Sequence, residues 1–350
     1  MTDRWKHLCR GAGSLLGAAA VVAGLAVPPA TAADTVAAVR ERGVLACGIG
    51  EIRGLAERRD DGRFVGFRAD VCRAVAAAVL GEPDAVEFVP LVAGARFEAL
   101  ARNEIDVLVA GATWTLARDA GLPIQFTGVH FYDGQGFVAH RRSGWTSLDD
   151  VTEARVCVVS DTTSLDNLRT FARTTGRRLE PVERVTREGA WEAFVTNGCD
   201  LMTQDMTALV AGLRARAVDL ADYTVLPDRI SREPLSPAVR DGDKRWAALV
   251  RFVVNALVLA EAVGVTQAVA ADPAAAAPDD PEARRLLGLE PGLGADLGLD
   301  DQWARRALAA VGHYGEVFER HLGAGSPLGL PRGDNALWRD GGLLYPLPMR

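Results

Sequence analysis

The chain has 350 residues, of which 49% are hydrophobic and 24% charged, and a formal charge of −7. That length suits two domains, and the composition excludes a disordered or fibrous protein. The acidic balance argues against broad binding to nucleic acid or an anionic membrane, but not against a single buried arginine that holds a small anion.

The N-terminal segment reads as an export signal over residues 1–32. Arg4, Lys6 and Arg10 make a basic start, Leu15 to Val27 is apolar, and Ala30-Thr31-Ala32 forms a small-x-small cleavage site. The apolar stretch is short for a membrane span. Cleavage removes three basic residues and one acidic one, so the formal charge moves from −7 to −9. The mature protein is expected to be exported. Cys9 leaves with the signal. Cys47, Cys72, Cys157 and Cys199 remain, an even set that fits disulfides in an oxidising compartment, against the alternative of four buried thiols. No spacing among them matches a zinc or CxxC motif, and no metal or cofactor is expected.

A short helix is predicted over Thr35–Arg42, and a buried strand over Gly43–Ile49. A polar loop follows from Glu51 to Gly62. Val71, Val75, Ala76 and Val79 recur at helical spacing and predict a helix over Asp70–Leu80. Val86–Leu91 reads as a strand, Phe97–Asn103 as a helix and Ile105–Val109 as a strand. A second unit of the same kind begins near Arg141, with strands at Arg155–Val159 and Cys199–Met202. Its helices are expected over Ser164–Arg173, around Trp191–Val195 and over Leu209–Arg216. Beyond Pro234–Val239, Trp246, Leu249, Val250, Val253, Leu257 and Val258 share one helical face. Ala268–Pro281 is Ala-, Pro- and Asp-rich, either a linker or a helix. The Gly- and Pro-rich tail from Gly323 is expected to wrap the surface. Alternating strands and helices predict an α/β fold with mainly parallel sheets. Pairing the cysteines within each unit gives Cys47–Cys72 and Cys157–Cys199; crossed pairs would tie the units together and prevent their relative motion.

Three segments carry candidate chemistry. Gly111-Ala112-Thr113-Trp114-Thr115-Leu116-Ala117-Arg118 follows a predicted strand end, where open α/β sheets place ligands. Arg118 can hold a carboxylate by two parallel hydrogen bonds, with Thr113 beside it; the plain alternative is a surface arginine. Ser160-Asp161-Thr162-Thr163 joins a strand to a helix whose free N–H groups can meet an anion; the alternative is helix capping by Asp161 or Thr162. Thr203-Gln204-Asp205 sets a carboxylate at a strand end, for an ammonium group or as a cap. Together the three describe the zwitterion of an α-amino acid. His130, His140, His313 and His321 form no HExxH pair, and no GxSxG, Walker A or Rossmann loop occurs. No acid–base pair is identifiable, so an enzyme is not expected.

Long motifs carry a resemblance. They include Asp70-Val71-Cys72-Arg73-Ala74-Val75, Thr113-Trp114-Thr115-Leu116-Ala117-Arg118-Asp119, Tyr132-Asp133-Gly134-Gln135-Gly136-Phe137, Glu233-Pro234-Leu235 and Tyr314-Gly315-Glu316-Val317-Phe318-Glu319. Through them nearly all of the mature chain resembles the periplasmic general L-amino-acid-binding proteins of polar amino-acid ABC importers, in solute-binding protein family 3. The resemblance implies a type II periplasmic-binding-protein fold, two α/β lobes joined by a two-strand hinge that closes on ligand. It implies a first lobe over residues 33–138, a second over 139–236 and a return to the first over 237–350, with a C-terminal extension. The hinge strands would include Gln135–Val138 and Pro237–Val239. It places the carboxylate-binding arginine on Arg118 with Thr113, the helix-start threonine on Thr162 or Thr163, and the ammonium-binding aspartate on Asp205. Gly111 belongs to the same segment. The implied partners are an L-amino acid and an inner-membrane ABC permease, with no nucleic acid, and the protein is expected to be a monomer. A related scaffold hosts cyclohexadienyl dehydratases, and a sensor with an altered ligand is the other alternative.

The chain departs from the family's pattern in its pocket wall. Asp161 stands where the family has Gly. Glu51 to Leu55 replaces an Asn-Thr-Gly loop with its aromatic. Arg68 takes the place of Asp after Gly66-Phe67, and Ala110-Gly111 that of Arg-Asn.

Overall fold

Two sheets organise the chain in the computed structural model, which describes residues 34–216, 219–274, 278–292 and 294–349. The predicted signal, with Cys9 and the Ala30–Ala32 cleavage site, lies outside the described residues. In the first sheet the strand order is Val86–Pro90, Leu45–Ile49, Val107–Thr113, Glu233–Arg240 and Ile124–Phe126, with Phe131–Asp133 also pairing Glu233–Arg240. The first three strands are parallel, and Glu233–Arg240 joins them antiparallel. In the second sheet the order is Arg178–Arg184, Glu153–Val159, Leu201–Asp205, Gln135–His140 and Tyr223–Val225. Its first three strands are parallel and the last two antiparallel additions. Each sheet thus has the expected parallel core, which needs crossover helices, but the sheets are not mainly parallel: four strand pairs are parallel and five antiparallel, because the returning strands add to each core antiparallel. The chain passes to the second sheet at Gly134 and returns between Val225 and Glu233. Gln135–Val138 thus lies within a strand of the second sheet, and Pro237–Val239 within a strand of the first.

The predicted elements mostly appear with shifted ends. The helix Thr35–Arg42 has its expected span, started by the Asp34 side chain and stopped by Gly43 in the left-handed region. The helix predicted from Asp70 begins at Phe67. The strand predicted to stop at Val109 continues through Thr113, so Gly111 and Thr113 belong to the strand itself. The strand predicted at Cys199–Met202 is Leu201–Asp205, with Asp205 as its last residue. The short strands Ile124–Phe126, Phe131–Asp133 and Tyr223–Val225 carry too little alternation to announce themselves.

The first lobe packs around the helices Phe67–Leu80 and Lys244–Val263. Lys244–Val263 is long and apolar enough for a membrane span. Two thirds of it is buried in the protein, where Trp246, Leu249, Val250 and Val253 face the core. Full burial of such a side chain is worth about 1.5–3 kcal/mol. Phe67 lies edge-on to Phe131 and Tyr314, which draws the helix Tyr314–His321 onto the same core. Asp70 fixes that helix by accepting from Arg320 and His321 at 2.8 and 2.7 Å. The tail wraps as expected: Asn335 exchanges two hydrogen bonds with the backbone of Tyr132, and Arg332 pairs with Glu261.

The cysteines pair within the lobes. Cys47–Cys72 joins a strand to the helix Phe67–Leu80, and Cys157–Cys199 joins the strand Glu153–Val159 to the turn before Leu201. The Cα atoms are 6.2 and 5.7 Å apart. Closing the 42-residue separation of the second pair removes unfolded-state entropy worth about 4 kcal/mol in the loop model. Replacing Cys157 and Cys199 together by Ser is expected to lower the urea midpoint by a corresponding amount; an unchanged midpoint would show that the cross-link contributes nothing.

Candidate functional site

A cleft of about 200 Å³ lies between the two sheets. The first lobe lines it with the Gly50–Ile52 loop, Arg68, Arg96, Gly111 and Thr113. The second lobe supplies Thr162 and Thr163, Arg187, Gln204 and Asp205. These residues sit where local structure exposes polar groups. Arg68, Arg96 and Arg187 each lie at a helix start, and Thr113 and Asp205 each end a strand.

Thr113 and Thr163 meet across the cleft, their hydroxyl oxygens 3.2 Å apart. Both donate to one carboxylate oxygen of Glu233, at the start of the strand Glu233–Arg240. The other oxygen accepts from Asn167 at 2.7 Å and from Ser231. Glu233 is buried, so one carboxylate beside the crossing between lobes ties the first lobe to the second. Nothing in the sequence flagged Glu233 beyond its place in a motif.

Asp205 lines the cleft without a hydrogen bond or ion pair to its side chain among the described residues. Desolvation, together with the nearby carboxylates of Asp133 and Glu233, pushes its carboxyl up to about 7, against a partial pull from Arg68 and Arg187. Asp133 is tied separately, by the N–H groups of Gly134 and Thr207. Asp205 thus stands as an acceptor whose charged form lacks a cation.

Arg118 does not line the cleft. It lies on the helix Leu116–Gly121 behind Thr113, donating to the Thr113 carbonyl at 3.0 Å, with its guanidinium over the Phe97 ring. Desolvation lowers its pKa, and the charges of Glu233, Asp166 and Asp205 partly restore it. Thr162 precedes the helix Thr163–Thr175, but its hydroxyl donates to the Val159 carbonyl at 2.7 Å instead of capping, and no side chain caps that helix start. Asp161, whose negative charge threatened an anion site, is exposed and absent from the cleft lining; its carboxylate faces the first lobe at Gly94. Its φ of 58° is left-handed, which accounts for a glycine at that position in the family pattern. Leu55 is a core residue and not a pocket wall, whereas Glu51 lines the cleft and its carbonyl accepts from Arg187 at 3.1 Å.

Three arginines of the cleft went unflagged as ligand groups. Arg68 had one signal, its replacement of an aspartate. Arg96 and Arg187 had none, because only the closure of the lobes brings their helix starts to one space. Gly111 is explained by Arg68: its φ is 67°, and a Cβ there would come within 2.1 Å of Arg68 Nη2.

Residues 55–263 match the family model of bacterial extracellular solute-binding proteins, family 3. The chain is 44% identical to the glutamate/glutamine/aspartate/asparagine-binding protein BztA of Rhodobacter capsulatus, over 95% of this chain and 96% of that one. It is 40% identical to the general L-amino acid-binding periplasmic protein AapJ of Rhizobium johnstonii, over 96% and 99%. A solved structure of an ABC transporter/periplasmic binding protein from Brucella ovis, with glutathione bound, superposes with a TM-score of 0.87 at 41% identity, covering 91% of this chain and 100% of that one. A further solved structure, an ancestral amino-acid-binding protein described as a precursor of cyclohexadienyl dehydratase, shares the fold with a TM-score of 0.55 at 23% identity. With its two lobes, its intervening cleft and these matches along nearly its whole length, the chain belongs to the bacterial extracellular solute-binding proteins, family 3.

Proposed function

We propose that this protein is exported to the periplasm, captures an L-α-amino acid by its head group and presents it to an inner-membrane ABC permease. The ammonium meets Asp205. The carboxylate sits near Thr113 and the free N–H groups at Thr163, with Arg118 turning from the Thr113 carbonyl to pair with it. The observation that carries this reading is the opposition, in one cleft, of an unpaired Asp205 and the hydroxyl pair Thr113–Thr163. The named relatives support the class of ligand, since each amino acid in the BztA name carries such a head group and so does the γ-glutamyl end of glutathione. The relatives that match nearly the whole chain are named as binding proteins, which favours capture over catalysis.

Calorimetric titration of the mature protein with the common amino acids tests the reading. Saturable binding at one site is expected. Arg118→Ala is expected to weaken it at least about a hundredfold, as losing one partner of a desolvated charge pair does, with the circular-dichroism spectrum unchanged. Undiminished affinity in Arg118→Ala would remove Arg118 from the clamp.

A further inference from the structure

The cleft holds more positive charge than an amino-acid head group can use. Arg68 and Arg96 are 3% and 8% exposed, and Nη1 of Arg68 and Nε of Arg96 have no hydrogen-bond partner among the described residues. Neither guanidinium forms an ion pair among those residues. Arg187, half-buried on the opposite lobe, donates only to neutral oxygens, Gln204 Oε1 at 3.3 Å and the Glu51 carbonyl at 3.1 Å. All three line the cleft with Asp205; Glu51 and Glu188 line it too, but both are exposed to water. Burying a cation without an anion is costly, and such groups ordinarily pair. Here desolvation and mutual repulsion pull Arg68 down to about 10 and Arg96 to about 9. This cluster persists in a protein whose mature formal charge is −9, so it is a local feature and not a consequence of composition. The bare backbone of Gly111 makes the room that the Arg68 guanidinium occupies.

We infer that the cleft selects an α-amino-acid-type ligand bearing a second anionic group, a carboxylate beyond the head group, held by Arg68 and Arg96 from one lobe and Arg187 from the other. The inference rests on the head-group reading above. It deepens that reading by requiring a preference for the acid over its amide. An isosteric amide leaves the arginines without a counter-charge and presents an N–H₂ group to donors. A free dicarboxylic amino acid and a γ-linked peptide share the chemistry, and they differ in how far the second carboxylate lies from the ammonium.

Calorimetry with L-glutamate, L-aspartate, L-glutamine, L-asparagine and glutathione decides the matter. Glutamate or glutathione is expected to bind at least about tenfold tighter than glutamine, since a charge-assisted bond is worth roughly twice a neutral one. The tighter of those two identifies the source of the second carboxylate. Arg68→Gln and, independently, Arg187→Gln are expected to lower the ratio of acid to amide affinity by about tenfold or more, and Arg68→Lys to recover part of it. Scanning calorimetry verifies that each variant is folded. Equal affinities for glutamate, glutathione and glutamine, or a ratio unmoved in both Gln variants, would overturn the inference while leaving the head-group reading intact. Absence of binding by every amino acid and by glutathione would defeat both.

Discussion

Asp205→Asn is expected to abolish amino-acid binding and, at the same time, to stabilise the unliganded protein above pH 7. Both effects follow from one carboxylate that lines the cleft without a cation of its own. Its pKa rises from 3.8 to about 7, chiefly by desolvation and then by Asp133 and Glu233. Because the folded state holds this proton more tightly than the unfolded chain does, Asp205 costs no stability below about pH 4 and progressively more as pH rises through 7. Asparagine keeps the shape without the charge, so the melting temperature of the unliganded variant at pH 8 should exceed that of the parent. The ammonium of a ligand supplies the missing cation and favours the ionised form. Binding by the parent therefore expels a proton below pH 7, and its affinity falls by up to tenfold per pH unit as the solution is acidified. Affinity in Asp205→Asn should be lower by about a hundredfold or more, with no such slope. Titrations in buffers of different ionisation enthalpy measure the released proton. Constant affinity from pH 5 to 8 in the parent, taken as roughly the window of this titration, would show that Asp205 does not meet an ammonium.

Glu233→Ala is expected to destabilise the protein by about 1–3 kcal/mol and to loosen the lobes, because it removes the one acceptor that several buried neutral donors share. Its carboxylate accepts from Thr113 of the first lobe and from Thr163 and Asn167 of the second, with Ser231 beside the crossing. Alanine leaves these donors facing each other across the cleft with no acceptor between them. Urea unfolding measures the loss. Small-angle scattering of the unliganded variant should give a larger radius of gyration, because a bridge between lobes has gone. Glu233→Gln, which keeps one acceptor and the volume, should fall between the two proteins. A Glu233→Ala variant with the parent's midpoint and radius would show that Glu233 does not link the lobes. Under the proposed head-group reading, a ligand carboxylate that takes the Thr113 and Thr163 hydroxyls competes with Glu233 for them and exchanges one bridge for another.

The residues that bring the lobes together were partly legible before the fold was known. Asp205, Thr113, Thr162, Thr163 and Gly111 all line the cleft, each near a strand end whose neighbourhood periodicity marks, although it stops the strands at Val109 and Met202, short of Thr113 and Asp205. Arg118 is close by but turned onto a backbone carbonyl, an orientation that no motif encodes. Asp161 illustrates the limit from the other side. As a letter in a motif it looks like a charge pointed at an anion; its left-handed φ and exposure turn it away.

The sequence by itself determined the alternation of strand and helix and the within-lobe pairing of the four cysteines. Those depend on local composition, on period and on which cysteines share a folding unit, all of which are properties of contiguous chain. Only the tertiary structure decided the character of the cleft. Arg68, Arg96 and Arg187 are separated along the chain and unremarkable as surface-type residues, and Glu233 lies in a motif with no stated role. They become an electrostatic cluster and a bridge between lobes because two sheets bring their ends to the same small space. Desolvation and charge coupling act over ångströms in that space and not over positions in the sequence.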